Sequence, residues 1–205
     1  GREATLKHIN MTLKQGEEAV IVGQSGSGKT TLLRLISGML LATSGSLRIN
    51  AIPIHECDLS SLRQQIRIVH ADDILFTGSI LDNIACFDSA PDKERVIEAC
   101  RLAEVDNVVA RLPHGYETQL LPGNTFFSAG EMQRLVLARA LYSQPKLLLC
   151  DEVTANLDKT TAQKVLANLR SLGIGLVFVT HSPDVVGCEG RCYTMENGTL
   201  RESEP

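Results

Sequence analysis

No cluster of lysines or arginines occurs in this 205-residue sequence, whose formal net charge is −4. A nucleic-acid groove normally shows as a basic stripe, so that class of partner is excluded. No apolar run approaches the eighteen or so residues needed to span a bilayer, and the first residues lack the long apolar core of a secretory signal. The six cysteines (Cys57, Cys86, Cys100, Cys150, Cys188 and Cys192) form no C-x-x-C arrangement, and several lie inside apolar segments. That pattern predicts reduced thiols in a cytosolic compartment. Cys188 and Cys192 have no second ligand pair nearby, so they read as thiols and not as a metal site. There is no internal repeat and no low-complexity segment, and only the stretch from Arg201 to Pro205 reads as loose. The length suffices for one large domain, or for a core carrying a helical insertion.

Against these absences stands one stretch, Gly23-Gln24-Ser25-Gly26-Ser27-Gly28-Lys29-Thr30, between the apolar run Ala19-Val20-Ile21-Val22 and the helical run from Leu32 to Met39. It reads as a phosphate-binding loop. Glycines let successive N–H groups turn toward phosphate oxygens, and a helix beginning near Gly28 adds the positive end of its dipole. Lys29 is expected to reach the β- and γ-phosphates and the Thr30 hydroxyl to hold Mg²⁺, with Thr31 beside it. The motif carries weight only where a strand precedes and a helix follows, and both are written here. Nucleoside triphosphate binding follows from the residues alone.

Along the chain, Gly1 to Lys14 alternates loosely (Leu6, Ile9, Met11, Leu13) and reads as the edge of a β-subdomain. Its abrupt start suggests a longer polypeptide. Ser46-Leu47-Arg48-Ile49 reads as a short strand followed by a Pro53-flanked connection. From Leu59 to Ile68 and from Lys93 to Arg111 apolar residues recur at helical spacing, so the middle of the chain reads as a mostly helical insertion. Ser128 and Glu131 have the spacing of a capping box at the start of an amphipathic helix, which on local chemistry alone is a structural helix start.

Lys146 to Glu152 and Gly175 to His181 are short apolar runs that end in polar residues, as buried parallel strands do. In an open parallel sheet, ligand-binding groups collect just past the carboxyl ends of the strands. Asp151 can hold Mg²⁺ and Glu152 can accept a proton from an attacking water. His181, at the end of its strand, can contact the γ-phosphate and orient that water with Glu152.

Taken together, Gly23 to Thr30, the Ser128-Ala129-Gly130-Glu131 helix start with Gln133-Arg134, the Leu147 to Glu152 strand, Leu157-Asp158 and His181 resemble the ATP-binding cassette ATPases over almost the whole chain. The resemblance implies an α/β fold: a P-loop NTPase core with a mostly parallel sheet, an N-terminal antiparallel β-subdomain and an inserted α-helical subdomain. Residues 1–57 and 145–205 would form the core and β-subdomain, and 58–144 the mainly helical subdomain. It implies ATP and Mg²⁺ as ligands, with Gly23 to Thr31 on ATP, Thr30 and Asp151 on the metal, and Lys29, Glu152 and His181 catalytic. A head-to-tail dimer would sandwich ATP against the partner's Ser128, Ala129, Gly130 and Glu131, with Asp158 linking the two sites. Leu62-Arg63 to Ile68-Val69, Leu75-Phe76 to Ile84 and Leu112-Pro113 to Thr118 resemble the exporter branch, whose cassettes work with a transmembrane domain at the cytoplasmic face of a membrane.

Several positions depart from that pattern. Ala71, between His70 and Asp72, falls where the family places a glutamine that senses the γ-phosphate, so either neighbour substitutes or coupling is weaker. Ala129 and Glu131 replace Gly and Gln, and both should weaken a closed dimer. Val153 and Ala155 replace Pro and Ser, the usual exporter glutamate is replaced near Pro122, and no adenine-stacking aromatic occurs around Arg2. A cassette that binds nucleotide but turns over poorly is therefore the alternative reading. DNA-maintenance and ribosome-acting relatives are disfavoured, because no sustained heptads and no second cassette occur.

Overall fold

The aliphatic runs of the sequence become the inner strands of one sheet. The computed structural model describes residues 5–121, 127–181 and 183–203. Its strands are β1 (Glu18–Val22), β2 (Arg48–Ile49), β3 (Ile52–Pro53), β4 (Ile66–His70), β5 (Gly78–Ser79), β6 (Gln119–Leu120), β7 (Leu147–Asp151), β8 (Gly175–Thr180), β9 (Arg191–Glu196) and β10 (Thr199–Ser203). Its helices are α1 (Lys29–Ile36), α2 (Leu59–Gln65), α3 (Ile80–Ile84), α4 (Lys93–Leu102), α5 (Asp106–Val109), α6 (Ala129–Tyr142), α7 (Lys159–Ser171) and α8 (Pro183–Val186).

The chain divides into two compact units, one of Gly1–Ile68, Pro145–Glu152 and Gly173–Pro205, the other of Val69–Gln144 and Val153–Leu172. The first unit is organised by a six-stranded sheet in the order β10-β9-β1-β8-β7-β4, whose edge strand β4 runs to the unit boundary. β1 pairs parallel with β8 and with β9, and β7 pairs parallel with β8. Every residue of β8 is buried, as a strand covered on both faces requires. Ala19, Ile21, Leu33, Leu149, Val177, Val179, Tyr193 and Met195 form the cluster beneath the phosphate loop. β2 and β3 make a separate antiparallel pair.

In the second unit α4 and α3 pack on α6, and α4 also meets α7. The interlock is aliphatic: Ile80, Ile84, Val96, Leu135, Leu137, Leu166 and Leu169 are all buried. β5 and β6 add a two-residue antiparallel pair. Asn83, buried, donates to the Phe76 and Ser79 carbonyls at 2.9 Å each and so fixes the loop ahead of α3.

Four sequence expectations are corrected. Residues 5–14 form no strand; Leu6, Ile9, Met11 and Leu13 instead pack half-buried against the core of the first unit. The helix from Leu59 stops at Gln65, and the β-branched Ile66, Ile68 and Val69 continue as β4, where the Lys146 N–H donates to the Gln65 carbonyl at 2.7 Å. Arg201 to Ser203 is ordered in β10, which pairs antiparallel with β9 across an Asn197-Gly198 turn of the kind that favours a hairpin. Cys188 and Cys192 are joined in a disulfide, because the Glu189-Gly190 turn brings their Cα atoms to 6.2 Å. The remaining four thiols are free, and burial pushes the Cys100 thiol up to about 12. The helical stretch from Lys93 is interrupted at Glu104, which takes a left-handed φ of 59° between α4 and α5.

Candidate active site

Three strand ends of the first unit carry the chemistry-bearing residues. β1 runs into Gly23, β7 ends at Asp151 and β8 at Thr180, in parallel register, so the phosphate loop, the two acids and His181 follow the same edge. The Glu152 N–H donates to the Val179 carbonyl at 2.9 Å, which holds the first residue past β7 against β8.

The loop from Gly23 to Gly28 has an open face and a packed one. A Cβ on Gly26 would meet nothing within 4 Å, whereas one on Gly23 would lie 2.3 Å from the Met195 carbonyl oxygen and one on Gly28 would lie 2.6 Å from Leu6 Cδ2. Gln24, Ser25 and Gly26 are exposed, Ser27 and Lys29 are buried, and Thr30 and Thr31 are half-buried. Gly28, with φ 111°, caps α1 without any side-chain acceptor. By contrast α2, α3, α4, α6 and α7 each begin with an aspartate or serine that accepts from the first turn. An uncapped helix start with glycine before it favours an anion.

Lys29 Nζ donates to the Gly23 and Gln24 carbonyls at 2.6 and 2.9 Å, folding back over the loop. Burial lowers its pKa, and the Glu152 and Asp151 carboxylates oppose that by favouring the charged form. The Thr30 hydroxyl donates to Asp151 Oδ2 at 2.8 Å, so two residues 121 apart in sequence present neighbouring oxygens. His181 Nε2 lies 3.3 Å from Glu152 Oε1. Burial raises the Glu152 pKa above its ordinary value, opposed by His181, reinforced by Asp151 and opposed by Lys29. Glu152 also sits at φ 57°, a left-handed conformation that costs a non-glycine residue about 1–3 kcal/mol and clusters at functional sites.

The Ser27 hydroxyl is buried with no hydrogen-bond partner. A buried orphan hydroxyl beside an uncapped helix start fits a polar ligand at the loop. For a divalent cation, Thr30 and Asp151 supply oxygen donors only, the set that a hard ion such as Mg²⁺ prefers. Among the described residues no group of three or more His, Cys, Asp or Glu side chains forms a metal cage.

The remaining predicted residues belong to the second unit. Ser128 caps α6: its Oγ accepts from the Glu131 N–H at 3.2 Å, and Glu131 Oε2 accepts from the Ser128 N–H at 2.8 Å and from its hydroxyl at 2.9 Å. Ala129 opens the helix, and Gly130 is packed so closely that a Cβ would lie 2.5 Å from the Asn156 carbonyl oxygen. Asp158 caps α7 through the Thr161 N–H at 3.0 Å, and the Thr161 hydroxyl, with that N–H, holds its carboxyl below the usual range. Ala71 and Asp72 are exposed in a turn closed by Asp73, whose carboxylate accepts from the His70 N–H at 3.0 Å. Positions near Pro122 and Arg2 lie outside the described residues.

Sequence reasoning took Leu6 only as part of an alternating edge and did not single out Met195 or Gly198; all three pack behind the phosphate loop. The Asn-Gly pair at Asn197-Gly198, a hairpin signal, could have marked the turn, but nothing in the sequence points to its neighbour.

A model of the ABC transporter family matches residues 6–155. Over 199 residues the chain is 37% identical to a lactococcin transport/processing ATP-binding protein of Lactococcus lactis, covering 97% of this chain and 28% of that protein. It is 35% identical to the cyclolysin secretion/processing ATP-binding protein of Bordetella pertussis, covering 96% of this chain and 28% of that one. Both relatives are thus more than three times as long as the part they share with it. Among solved structures, a bacterial Atm1-family ABC exporter with ATP bound superposes with a TM-score of 0.90 at 30% identity, over 97% of this chain and 35% of that one.

Proposed function

The chain belongs to the ABC transporter family, and from that premise we propose that it binds Mg-ATP at the Gly23 to Thr31 loop and hydrolyses it, powering export across a membrane. The observation that carries this is the strand-end cluster: Glu152 within 3.3 Å of His181, and Thr30 within 2.8 Å of Asp151, beside an uncapped α1. Among the described residues no helix is long and apolar enough to cross a membrane. In this reading the chain serves a separate transmembrane domain at the cytoplasmic face. The names of the secretion relatives and of the exporter with ATP bound support that assignment.

Each residue has a separable task. The loop backbone and Lys29 bind the phosphates of ATP. Thr30 and Asp151 hold Mg²⁺, which, when bound, neutralises charge developing on the phosphate oxygens. Glu152 takes the proton of the attacking water onto its carboxylate, and the raised pKa makes it a stronger base than an exposed glutamate. His181 Nε2 keeps that carboxylate oriented. Ser128, Ala129, Gly130 and Glu131 would complete the site of a second cassette in a head-to-tail dimer, with Asp158 at the crossing.

One observation favours a second reading, a regulatory cassette with weak turnover. Glu131 already occupies the Ser128 hydroxyl and N–H, the groups a partner's phosphate would use. The initial rate of Mg-ATP hydrolysis against protein concentration separates the two. A specific activity that rises with concentration supports the hydrolytic dimer; ATP binding without hydrolysis at any concentration refutes it in favour of the regulatory cassette.

A further inference from the structure

The packed face of the phosphate loop is closed by two segments that sequence separates by about 190 residues, Thr5 to Lys7 and the turn between β9 and β10. Hydrogen bonds and close packing join them to each other and to the loop. The Gly198 N–H donates to the Ser27 carbonyl at 2.9 Å, and the Lys7 N–H donates to the Gly198 carbonyl at 2.7 Å. Leu6 Cδ2 stands where a Gly28 side chain would be, with Met195 Sδ 3.5 Å from the same point. The Met195 carbonyl fills the corresponding space at Gly23. Gly198 itself is wedged: its φ is 77°, and a Cβ there would lie 2.0 Å from the Thr5 carbonyl oxygen.

These contacts reach the loop at its first glycine, at the residue carrying the orphan hydroxyl, and at the glycine that opens α1. None of them reaches Gly26, whose side faces open space. The clamp therefore controls the direction of the loop's N–H groups from behind and leaves the ligand side unobstructed. A loop of short polar residues has little packing of its own to hold a phosphate-binding shape, and misplacement by an ångström at such a site is costly.

We infer that Leu6, Met195 and Gly198 are positioning residues for nucleotide binding: they set the phosphate loop through Gly23, Ser27 and Gly28 without touching the nucleotide. The inference rests on the reading of the loop as the ATP site and adds the element that holds it in register. Substitutions in the clamp then weaken ATP binding more than they slow the chemical step, because Glu152 and His181 are held separately by β7 and β8.

The test is a titration of the 205-residue chain with a fluorescent N-methylanthraniloyl ATP in Mg²⁺, alongside kcat at saturating ATP and thermal unfolding. Leu6→Ala removes the cover over Gly28, and Gly198→Ala drives the turn from Thr5. Each is expected to raise Kd about tenfold while kcat stays within about threefold, the pattern of lost ground-state binding. Leu6→Met, which refills the space, is expected to return Kd to within about twofold of wild type, as volume-conserving swaps do. Gly173→Ala is the control: its φ of 63° imposes the same backbone strain, but its Cβ would meet nothing within 4 Å. It lowers the unfolding temperature and leaves Kd unchanged. If Gly198→Ala does not fold, Leu6→Ala decides. An unchanged Kd in folded Leu6→Ala, or a Kd raised equally by Gly173→Ala, overturns the clamp. A wild-type chain that binds no Mg-ATP overturns the site reading itself, and the clamp with it.

Discussion

Replacing Glu152 by Gln separates catalysis from stability in opposite directions. The amide keeps the size of the side chain and the left-handed φ of 57°, so backbone strain cancels between the two proteins. What changes is the base and the charge. Loss of a positioned general base typically costs 10²–10⁴ in rate, about 3–5 kcal/mol of barrier. The stability effect has its own sign. Burial raises the folded pKa of Glu152, so the folded state binds this proton more tightly than the unfolded chain does. The stabilisation this supplies is full below the unfolded pKa of about 4.3 and is lost as pH rises through the folded value. At pH 7 wild type therefore carries a buried carboxylate that Glu152→Gln does not. The variant is expected to unfold at the same or a higher temperature at pH 7, and the difference should close as pH falls toward 4. The assays are phosphate release under saturating Mg-ATP and thermal melts across pH 4 to 8. Unchanged hydrolysis would remove Glu152 from the mechanism. A melting temperature that drops at pH 7 would refute the electrostatic reasoning, because it would mean that the pair with His181 outweighs burial.

Three further substitutions test the other parts of the site. Thr30→Val removes the donor to Asp151, should cost about 1 kcal/mol in urea unfolding, and should raise the Mg²⁺ concentration needed for half-maximal hydrolysis. Gly130→Ala forces a Cβ against the Asn156 carbonyl and should lower stability by about 1–3 kcal/mol, read as a shifted denaturation midpoint with unchanged slope. Ser128→Ala loses the cap of α6 and should cost about 1 kcal/mol; sedimentation in Mg-ATP with hydrolysis-deficient Glu152→Gln as background should show less dimer than the parent.

Local chemistry was legible wherever neighbouring residues decide it. Gly23 to Thr30, the acids after Leu147 to Cys150 and the Ser128 to Glu131 box need only their own few residues: α1 starts after Gly28 without a side-chain cap, β7 ends at Asp151, and Ser128 and Glu131 form a capping box. Legibility failed where a distant partner decides. Ile66 to Ile68 fits a helical spacing, and it becomes a strand because it has a sheet to join. Leu6 to Leu13 alternates like a strand, yet no edge takes it up, and its apolar side chains serve the core instead. The Cys188 to Cys192 link depends on a turn geometry that spacing does not express. Met195 and Gly198 lie against a loop far from them in sequence, which no short window of residues contains.

The order β10-β9-β1-β8-β7-β4 also dictates when the loop can exist during synthesis. Within this stretch β1 precedes every other strand of the sheet, yet both of its neighbours, β8 and β9, come from the last third of the 205 residues. At about 5–20 residues per second, β1 waits about 10–30 seconds with neither edge paired. A nascent chain arrested before Gly175 thus carries every residue of the phosphate loop but neither strand that flanks β1. Such a chain exposes an unpaired aliphatic strand, the kind of edge that invites pairing with other chains.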